Sequence, residues 1–551
     1  MNRRLPDQMP PWWRASLIAV WPVFAALVIM AARLNPNQVD EDAIYYIRIA
    51  QYYLSGKVDL MISGYWGPML SWLIAPWLLV FQDPLFAARA AMAVSAMVFL
   101  FGCVCVLRAV QLPAPAVVIG AWIIASIGLV WSVTLITPDL LLAGLLAFGT
   151  SRLLSDRWII DARTAFSAGL ILGASYLAKA VALPASVLLI VGFACTNIIV
   201  HQINIRQAAR AVAITIGGFM LVAGPWIGIL SFKYGRPVFS TSGPIAHAIV
   251  GPPDMERYHP EVRTFHKPAA GRIGAGEDLT VMPYNYWSPF QSFSYAVHQA
   301  KVIYGNTYTI TTHLKSFDLL GFGLVSAIFG FALGNPWRKC LREERWRWLL
   351  IPIVSLCVLY LPVYAEDKRY YLPTLPFLVA TSFGFALTLS GLISKKYHLG
   401  MALPLALVAL SFLIGNVTSV CKAFDGSVSE NADYLAAKIY ANKLQSTTLV
   451  GPVASIGPKH RTGLFLAYLL NVPWFGQKEK LQNADEVLSS DAALVVLPRD
   501  TTAAKQLSND PRFTSLDKPL FGCDVRIEKF PYEVFVTKPR TSDEICPTSY
   551  Q

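Results

Sequence analysis

The chain has 551 residues, of which 55% are hydrophobic and 15% are charged, and its formal net charge is +12. Soluble proteins carry about 25% charged residues, so the composition excludes an ordinary soluble protein and indicates a polytopic membrane protein. Most basic residues lie in short segments between apolar runs, where they orient helices and meet the anionic headgroups of a lipid bilayer. We therefore expect the bilayer, and no nucleic acid, as the partner of these charges.

The first apolar run, at 16–34, is long enough to cross a bilayer as a helix. Arg3, Arg4 and Arg14 precede it, so the positive-inside rule predicts a cytoplasmic N-terminus. No small-residue cleavage site follows the run, which predicts a retained anchor rather than a signal peptide. Together with ten further runs it predicts about eleven spans, at 16–34, 87–109, 115–132, 139–153, 164–178, 182–200, 211–231, 317–334, 348–364, 371–392 and 400–417.

Alternate connections should then be cytoplasmic, and every one of them is basic. Their charges are Arg108; Arg152, Arg157 and Arg163; Arg206 and Arg210; Arg338, Lys339, Arg342, Arg345 and Arg347; and Lys395 and Lys396. The outer side receives a first loop at 35–86 and a long loop at 232–316. Within the first loop, 43–54 and 67–81 are typical of helices that lie in the membrane interface. We expect a multi-pass protein of the bacterial inner (plasma) membrane.

The tail after about residue 420 is predicted to be an outer domain of different character. Short β-rich runs at 447–450 and 493–497 predict buried strands, and 461–470 has a helical pattern. We therefore divide the chain into a membrane domain at 1–420 and a small extracytoplasmic α/β domain at 421–551. A disulfide between Cys523 and Cys546 is an open expectation if this domain lies outside the cytoplasm.

Three consecutive carboxylates, Asp40, Glu41 and Asp42, follow the first span on its outer side. One interpretation is helix capping, since acids in a first turn stabilise the helix dipole by about 0.3–1 kcal/mol. The other is chemistry, because Asp42, Tyr45 and Tyr46 fall at helical spacing and place a carboxylate at the end of an aromatic stripe.

Other charged residues are predicted on the same side of the membrane. Asp139 starts a span after a Thr-Pro pair, where helix capping is the alternative to a functional acid. Lys179 interrupts an apolar stretch, where snorkelling to the interface is the alternative. Lys368 and Arg369, followed by Tyr370, run against the positive-inside trend. Acids and cations suited to phosphate thus share one membrane face, as expected for a lipid-phosphate substrate with a group to transfer.

In these motifs the chain resembles the GT-C membrane glycosyltransferases, specifically the group with the protein O-mannosyltransferases and the bacterial aminoarabinose transferase that modifies lipid A. The resemblance covers roughly 15–380. It is carried by Asp40-Glu41-Asp42-Ala43-x-Tyr45-Tyr46, Gly67-Pro68-Met69-Leu70-Ser71, Ala88-Arg89, Thr137-Pro138-Asp139, Leu177-Ala178-Lys179 and Arg369-Tyr370-x-x-Pro373-x-x-Pro376-Phe377. It implies a GT-C fold with interfacial helices in the first outer loop.

The resemblance also implies an inverting glycosyltransferase with a polyprenyl-phosphate-linked sugar as donor and a glycan, lipid or protein as acceptor. A first-loop acid, Asp42 or else Asp40, would be the general base. Lys179 and Arg369 would stabilise the leaving phosphate. Asp139 would position the acceptor or the base, or help to hold a divalent cation.

Remaining substrate contacts are expected from Glu41, Tyr45, Tyr46, Lys368 and Tyr370. The sequence shows no metal-ligand set, so a divalent cation stays open and no other cofactor is expected. Departures from the family pattern are the third acid and Ala180, where a glycine often follows the lysine.

Two other classes of function compete with a transferase. A transporter or flippase of envelope precursors could use outer acids for gating, but it predicts buried mid-span charges and repeat symmetry. The chain shows no internal repeat, and its singular charges cluster at the outer boundary. A membrane-anchored assembly protein would leave those charges unexplained.

Overall fold

Two compact units divide the chain of the computed structural model, and neither is continuous in sequence. The helical unit comprises Met1–Pro36, Trp66–His247 and Trp287–Val428, and the sheet unit comprises Asn37–Tyr65, Ala248–Tyr286 and Ser429–Gln551. The structure describes residues 10–255, 257–330, 344–397, 401–426, 432–445, 447, 449–457, 461–516 and 532–537. The boundary at residue 420 stays a prediction, as does the disulfide, because Cys523 and Cys546 lie outside the described residues.

Apolar helices make up most of the helical unit. Within the described ranges, seven are long and apolar enough to cross a membrane: Pro11–Leu34, Pro84–Ala109, Ala114–Thr134, Ala182–His201, Ile205–Tyr234, Lys368–Gly391 and Ala402–Asp425. The other four predicted spans also contain helices, which are shorter: Asp139–Leu153, Ala162–Ala178, Phe322–Phe329 and Leu350–Tyr360. The helical membrane fold is therefore confirmed, whereas the number of eleven spans stays a prediction.

Polar side chains fasten several of these helices to one another. Asn35 follows the first helix and donates to the carbonyls of Ala31 and Ala423, both at 2.8 Å. Asp318 is buried, accepts from the amides of Phe322 and Gly323 at the start of a helix, and also accepts from the Ser411 hydroxyl at 3.0 Å. Such contacts fix helix neighbours where apolar packing alone is degenerate.

The remaining helices of the two units are short or lie in connections. Their bounds are Glu41–Leu54, Val58–Met61, Pro68–Leu78, Arg157–Ile160, Ser242–Ala248, Phe293–Lys315, Ala432–Leu444, Arg461–Leu470, Asp485–Leu488 and Thr502–Ser508. Helices Glu41–Leu54 and Pro68–Leu78 confirm the two helices predicted in the first loop.

A five-stranded mixed sheet is the core of the sheet unit. Its strands are β1 (Val453–Ile456), β2 (Trp474–Lys478), β3 (Leu494–Pro498), β4 (Thr514–Ser515) and β5 (Tyr532–Val536), in the order β2-β1-β3-β5-β4. Strand β1 pairs in parallel with β2 and β3, and β5 pairs antiparallel with β3 and β4. Parallel strands joined by helices confirm the small α/β domain predicted for the tail.

One predicted strand of this domain is wrong. Residues 447–450 were expected to be extended, but β1 begins at Val453 instead. Thr447 ends the preceding helix, because both its amide and its hydroxyl donate to the carbonyl of Leu444. A β-branched residue thus serves here as a helix C-terminal contact, which outweighs its preference for strands.

The sheet unit also takes up residues from the two outer loops. The amide of His266 donates to the carbonyl of Phe475, and the amide of Trp474 donates to the carbonyl of Ile273, each at 2.5 Å. Arg48, in helix Glu41–Leu54, donates to the side chain of Asn471 at 3.2 Å. The first-loop acids therefore belong to the same compact unit as the C-terminal sheet.

Candidate functional site

Asp139 and Lys179 form an ion pair at helix ends in the helical unit. Asp139 is the first residue of helix Asp139–Leu153, and Lys179 directly follows helix Ala162–Ala178. The Lys179 Nζ lies 2.7 Å from Asp139 Oδ1, and the two side chains are 25% and 2% exposed. Lys179 therefore points to a buried acid rather than snorkelling to the membrane surface.

The second carboxylate oxygen of Asp139 is buried and accepts no hydrogen bond from any residue that the structure describes. Buried carboxylate oxygens in proteins nearly always accept a hydrogen bond, from the chain, from ordered water or from a ligand. Oδ2 of Asp139 is therefore available to a partner other than the described residues.

Gly67 fixes the backbone beside Lys179. A Cβ at this position would lie 2.3 Å from the carbonyl oxygen of Ala178 and 2.8 Å from that of Leu177. Contacts this short are not tolerated between a side chain and backbone, so only glycine fits. Two motifs that are far apart in the sequence, the Gly67-Pro68 pair and the Leu177-Ala178-Lys179 run, thus meet here.

Tyr370 contacts both of the predicted phosphate-binding cations. Its ring centroid is 4.6 Å from Lys179 Nζ and 5.6 Å from the guanidinium carbon of Arg369. The ring of Tyr360 stacks almost parallel to the ring of Tyr370, with a centroid distance of 5.3 Å and an angle of 3° between the ring planes. Stacking holds the phenol ring in place, and its π face attracts both cations.

Arg369 has its own acid and Lys368 points elsewhere. The Nε of Arg369 lies 2.7 Å from Asp367 Oδ2, and the same carboxylate caps the Arg369 amide at 3.0 Å. Lys368 donates to the carbonyl of Ser316 at 3.0 Å and lies 4.9 Å from the ring of Phe317. In the helical unit the structure thus brings together Asp139, Lys179, Tyr370 and Arg369, while Lys368 contacts a different segment.

The first-loop acids lie in the sheet unit. Asp40 is the N-cap residue of helix Glu41–Leu54, but its side chain makes no capping hydrogen bond. Glu41 forms an ion pair with Arg461, the first residue of helix Arg461–Leu470. Burial lowers the pKa of Arg461, but the charge and the hydrogen bond of Glu41, together with the charges of Asp433 and Asp40, outweigh that effect and the pKa is raised.

Arg461 is a residue that the sequence interpretation missed. A cation at a helix N-terminus is unfavourable for the helix dipole, so its position there needs compensation. Glu41 supplies that compensation, and Asp42, the third acid of the triplet, is half-buried.

Tyr45 and Tyr46 are buried in the sheet unit, at 5% and 2% exposure. A Cβ on Gly276 would lie 2.3 Å from the Tyr45 hydroxyl, so the ring packs directly against the backbone of the long loop. Burial, followed by the charge of Glu261, raises the pKa of Tyr45 well above its ordinary value, which keeps the phenol neutral. Both tyrosines therefore help to pack helix Glu41–Leu54, and their part in substrate binding stays a prediction.

Two fully buried acids of the long loop were also missed. Glu277 accepts from the Tyr52 hydroxyl and the Ile273 amide, both at 2.7 Å, and Arg48 lies 3.9 Å away. Asp278 pairs with buried Arg272 at 3.3 Å. Burial raises the pKa of Glu277 above its ordinary value. The only sequence signal was the pair of glycines at 274 and 276, whose small size allows close packing against Tyr45.

The described residues contain no group of three or more His, Cys, Asp or Glu side chains that could hold a metal ion. The divalent cation that the sequence analysis left open therefore stays open.

Comparison with solved structures finds a similar fold in several proteins. ArnT from Cupriavidus metallidurans bound to undecaprenyl phosphate matches with a TM-score of 0.53 and 14% identity, over 95% of this chain and 98% of that chain. The apo oligosaccharyltransferase of Archaeoglobus fulgidus matches with a TM-score of 0.54 and 12% identity, over 89% and 70%.

A third similar structure is AglB, the oligosaccharyltransferase of Archaeoglobus fulgidus, in complex with an inhibitory peptide and a dolichol-phosphate. It matches with a TM-score of 0.53 and 12% identity, over 89% of this chain and 69% of that chain. No family model matches the sequence, and comparison with curated proteins finds no match. The resemblance to GT-C glycosyltransferases is thus confirmed at the level of the fold.

Proposed function

We propose that this protein is a membrane glycosyltransferase that moves a sugar from a polyprenyl-phosphate donor to a glycan, lipid or protein acceptor. The observation that carries the proposal is the shared fold along nearly the whole chain with a protein solved bound to undecaprenyl phosphate. The cluster of Asp139, Lys179, Tyr370 and Arg369 supports it, because it combines two cations with a buried acid.

Lys179 and Arg369 are assigned to the donor phosphate. Lys179 pairs with Asp139 and Arg369 pairs with Asp367, so these four residues are together neutral by formal charge. An ammonium carries three N–H donors and a guanidinium five, so both groups can bind several oxygen atoms at once. Charge accumulates on the leaving phosphate as the bond to the sugar breaks, and fixed cations stabilise that charge most in the transition state.

Asp139 is assigned a positioning role for Lys179. Its Oδ1 holds the ammonium, and its Oδ2, which accepts from no described residue, can accept a hydrogen bond from a substrate hydroxyl. Because its two oxygens have different partners, Asp139 can fix the lysine and also help to orient the substrate.

Asp42, or else Asp40, is assigned as the general base. The base removes a proton from the acceptor hydroxyl or amine, and the acceptor atom attacks the anomeric carbon. The bond from that carbon to the phosphate oxygen breaks, polyprenyl phosphate leaves, and the configuration at the carbon inverts. The absence of a capping bond from Asp40 and the pairing of Glu41 with Arg461 support a role for this triplet other than helix capping.

The side of the membrane is part of the proposal. The basic connections support a site on the outer face of a bacterial inner membrane, and nucleotide sugars are confined to the cytoplasm. A transferase on the outer face therefore needs a donor that is carried across on a lipid.

The test is sugar transfer by purified protein in lipid, supplied with a panel of radiolabelled polyprenyl-phosphate sugars and envelope extract. The proposal expects label to move from the lipid into an acceptor with wild type and not with Asp42→Asn. Donors left intact across the panel, together with flux of a lipid precursor across vesicles, would support a transporter instead.

A further inference from the structure

Helix Phe293–Lys315 carries a row of polar side chains that bind the backbone of one neighbouring segment. The three residues are Gln299, Asn306 and His313, and their spacing is seven residues. Seven residues are close to two turns of an α-helix, so the three side chains lie along one face. All three belong to the helical unit, as does the segment that they bind.

The bound segment is 360–366, which follows helix Leu350–Tyr360. Asn306 Nδ2 lies 3.2, 2.9 and 2.7 Å from the carbonyl oxygens of Tyr360, Leu361 and Val363, which share its two N–H groups. Gln299 Nε2 donates to the carbonyl of Pro362 at 3.2 Å.

His313 completes the row at the end of the same segment. Its Nε2 lies 2.9 Å from the carbonyl of Glu366, and its ring stacks on Tyr371 with a centroid distance of 5.4 Å. A carbonyl oxygen can only accept, so Nε2 carries a proton in this contact.

One of these contacts lies at the end of helix Leu350–Tyr360. A helix leaves its last carbonyls without internal partners, and a glycine after the end commonly allows the backbone to satisfy them. Residues 361–367 contain no glycine, and Pro362 has no amide to donate. Asn306 supplies a donor for the last helical carbonyl, that of Tyr360, and the other contacts bind carbonyls of the segment beyond the helix.

The segment held in this way leads directly to the predicted phosphate-binding residues. Tyr360, whose carbonyl is bound by Asn306, stacks on Tyr370. Tyr370 in turn contacts both Lys179 and Arg369. A path of direct contacts therefore runs from Asn306 to the two cations.

We infer that Asn306, Gln299 and His313 are positioning residues that fix the 360–366 segment and thereby place Arg369 and Tyr370 for the lipid-phosphate donor. The identity of the ligand in this inference rests on the proposed function. That the three side chains fix the 360–366 segment is a separate claim, and it can be tested without substrate.

Two variants remove donors at nearly constant size. Asn306→Asp and His313→Glu replace N–H donors by carboxylate oxygens, which repel the carbonyls that they face. His313→Gln keeps an N–H at the position of Nε2 and is the conservative rescue. Thr307→Ala is the matched control on the same helix, because among the described residues the Thr307 hydroxyl bonds the carbonyl of Ile303, within its own helix.

The first measurement is hydrogen exchange of the backbone amides in full-length protein in detergent. Faster exchange in 361–371 is expected for Asn306→Asp and His313→Glu, and exchange like wild type for His313→Gln and Thr307→Ala. If Asn306→Asp leaves the exchange rates in 361–371 unchanged, the claim that Asn306 fixes this segment is overturned, whatever substrate the protein uses.

The second measurement separates the KM for the polyprenyl-phosphate sugar from the KM for the acceptor. We expect Asn306→Asp to raise the donor KM about tenfold, as for the loss of one to two hydrogen bonds at about 1 kcal/mol each, with the acceptor KM unchanged. A donor KM like wild type despite faster exchange would overturn the positioning role. If the wild-type protein itself transfers no sugar, the proposed function is refuted. The hydrogen-exchange result would still show whether the three side chains fix the 360–366 segment.

Discussion

Asp139 in the helical unit and Glu277 in the sheet unit are both buried carboxylates, at 2% and 0% exposure, but their surroundings differ. Both oxygens of Glu277 accept from groups of the chain, the Ile273 amide and the Tyr52 hydroxyl. Only one oxygen of Asp139 has a partner among the described residues, and that partner, Lys179, is partly exposed. A closed network is a device for stability, whereas an open one retains capacity for a ligand.

The sheet unit contains acids that differ in burial. Asp42 is half-buried at the start of a helix, while Glu277 is enclosed and bonded on both oxygens. Burial alone therefore does not mark a candidate acid in this protein. For Asp139, the distinguishing feature is the second carboxylate oxygen, which accepts from no described residue.

The largest expected effect sharpens the contrast between Asp42 and Glu277. Asp42→Asn should lower the rate of sugar transfer about 10²–10⁴-fold, because it removes the proposed base but keeps the side-chain volume. Asp40→Asn should be milder. The checks are the single-turnover rate of sugar transfer and the melting temperature of both variants. An equal loss of folded protein in both would favour helix capping over catalysis as the role of these acids.

Lys179→Met tests the open pair in the helical unit. The variant keeps the apolar stem and removes the charge, and we expect a drop in kcat of about 10²–10³-fold because the leaving phosphate loses one stabilising cation. Transfer kinetics at saturating donor measure this. Lys368→Met serves as the matched control, since Lys368 donates to the Ser316 carbonyl, and a comparable loss there would show that the contrast between the two lysines is wrong.

Gly67→Ala tests whether the close backbone contact places Lys179. A Cβ there would meet the Ala178 carbonyl oxygen at 2.3 Å, so the backbone must shift, and we expect kcat to fall about tenfold, since small misplacements of catalytic groups are costly. The control is Gly217→Ala, whose Cβ would meet nothing within 4 Å. Equal transfer rates for both variants would remove Gly67 from the account.

Arg461→Gln probes the acidic triplet with a smaller effect. Arg461 is 55% exposed and pairs with Glu41, so its removal makes the neighbouring acids harder to ionise but only modestly. The acid limb of the pH profile of kcat/KM should move to higher pH, with a loss of about two- to fivefold at neutral pH. Arg512→Gln is the control for a surface arginine in the same unit, and it should leave the pH profile in place.

Of these variants, Glu277→Gln should change the rate of sugar transfer least, and its effect should be on the stability of the folded protein. Because burial raises the pKa of Glu277, the folded state binds the proton more tightly than the unfolded state. The stability from this group is fully present below the unfolded-state pKa and is lost as pH rises through the folded-state pKa. Melting temperatures against pH should therefore fall more steeply for wild type than for Glu277→Gln, and parallel curves would contradict the assignment.

The sequence predicted the helices well because membrane spans depend on local composition. A run of about 20 apolar residues is sufficient to predict a helix in a bilayer, and all the predicted spans contain one. The strand expected at 447–450 failed because Thr447 makes a local contact that ends a helix, which propensity does not encode.

Contacts between distant residues were beyond the sequence. Asp139 and Lys179 were each singled out, but their pairing across 40 positions was not predicted. Arg461, Glu277 and the row on helix Phe293–Lys315 carried no motif, because a side chain that binds a remote carbonyl can be of several types. The sequence therefore singles out candidate residues, and the fold decides which of them meet.

The most direct test of the open network is binding of polyprenyl phosphate itself. Affinity for undecaprenyl phosphate can be measured by titration of purified wild type, Lys179→Met and Glu277→Gln in the same detergent. The account predicts binding by wild type, a loss of about tenfold or more in Lys179→Met, and affinity like wild type in Glu277→Gln. Equal affinity in all three proteins would contradict the claim that the Asp139–Lys179 pair is where the lipid phosphate binds.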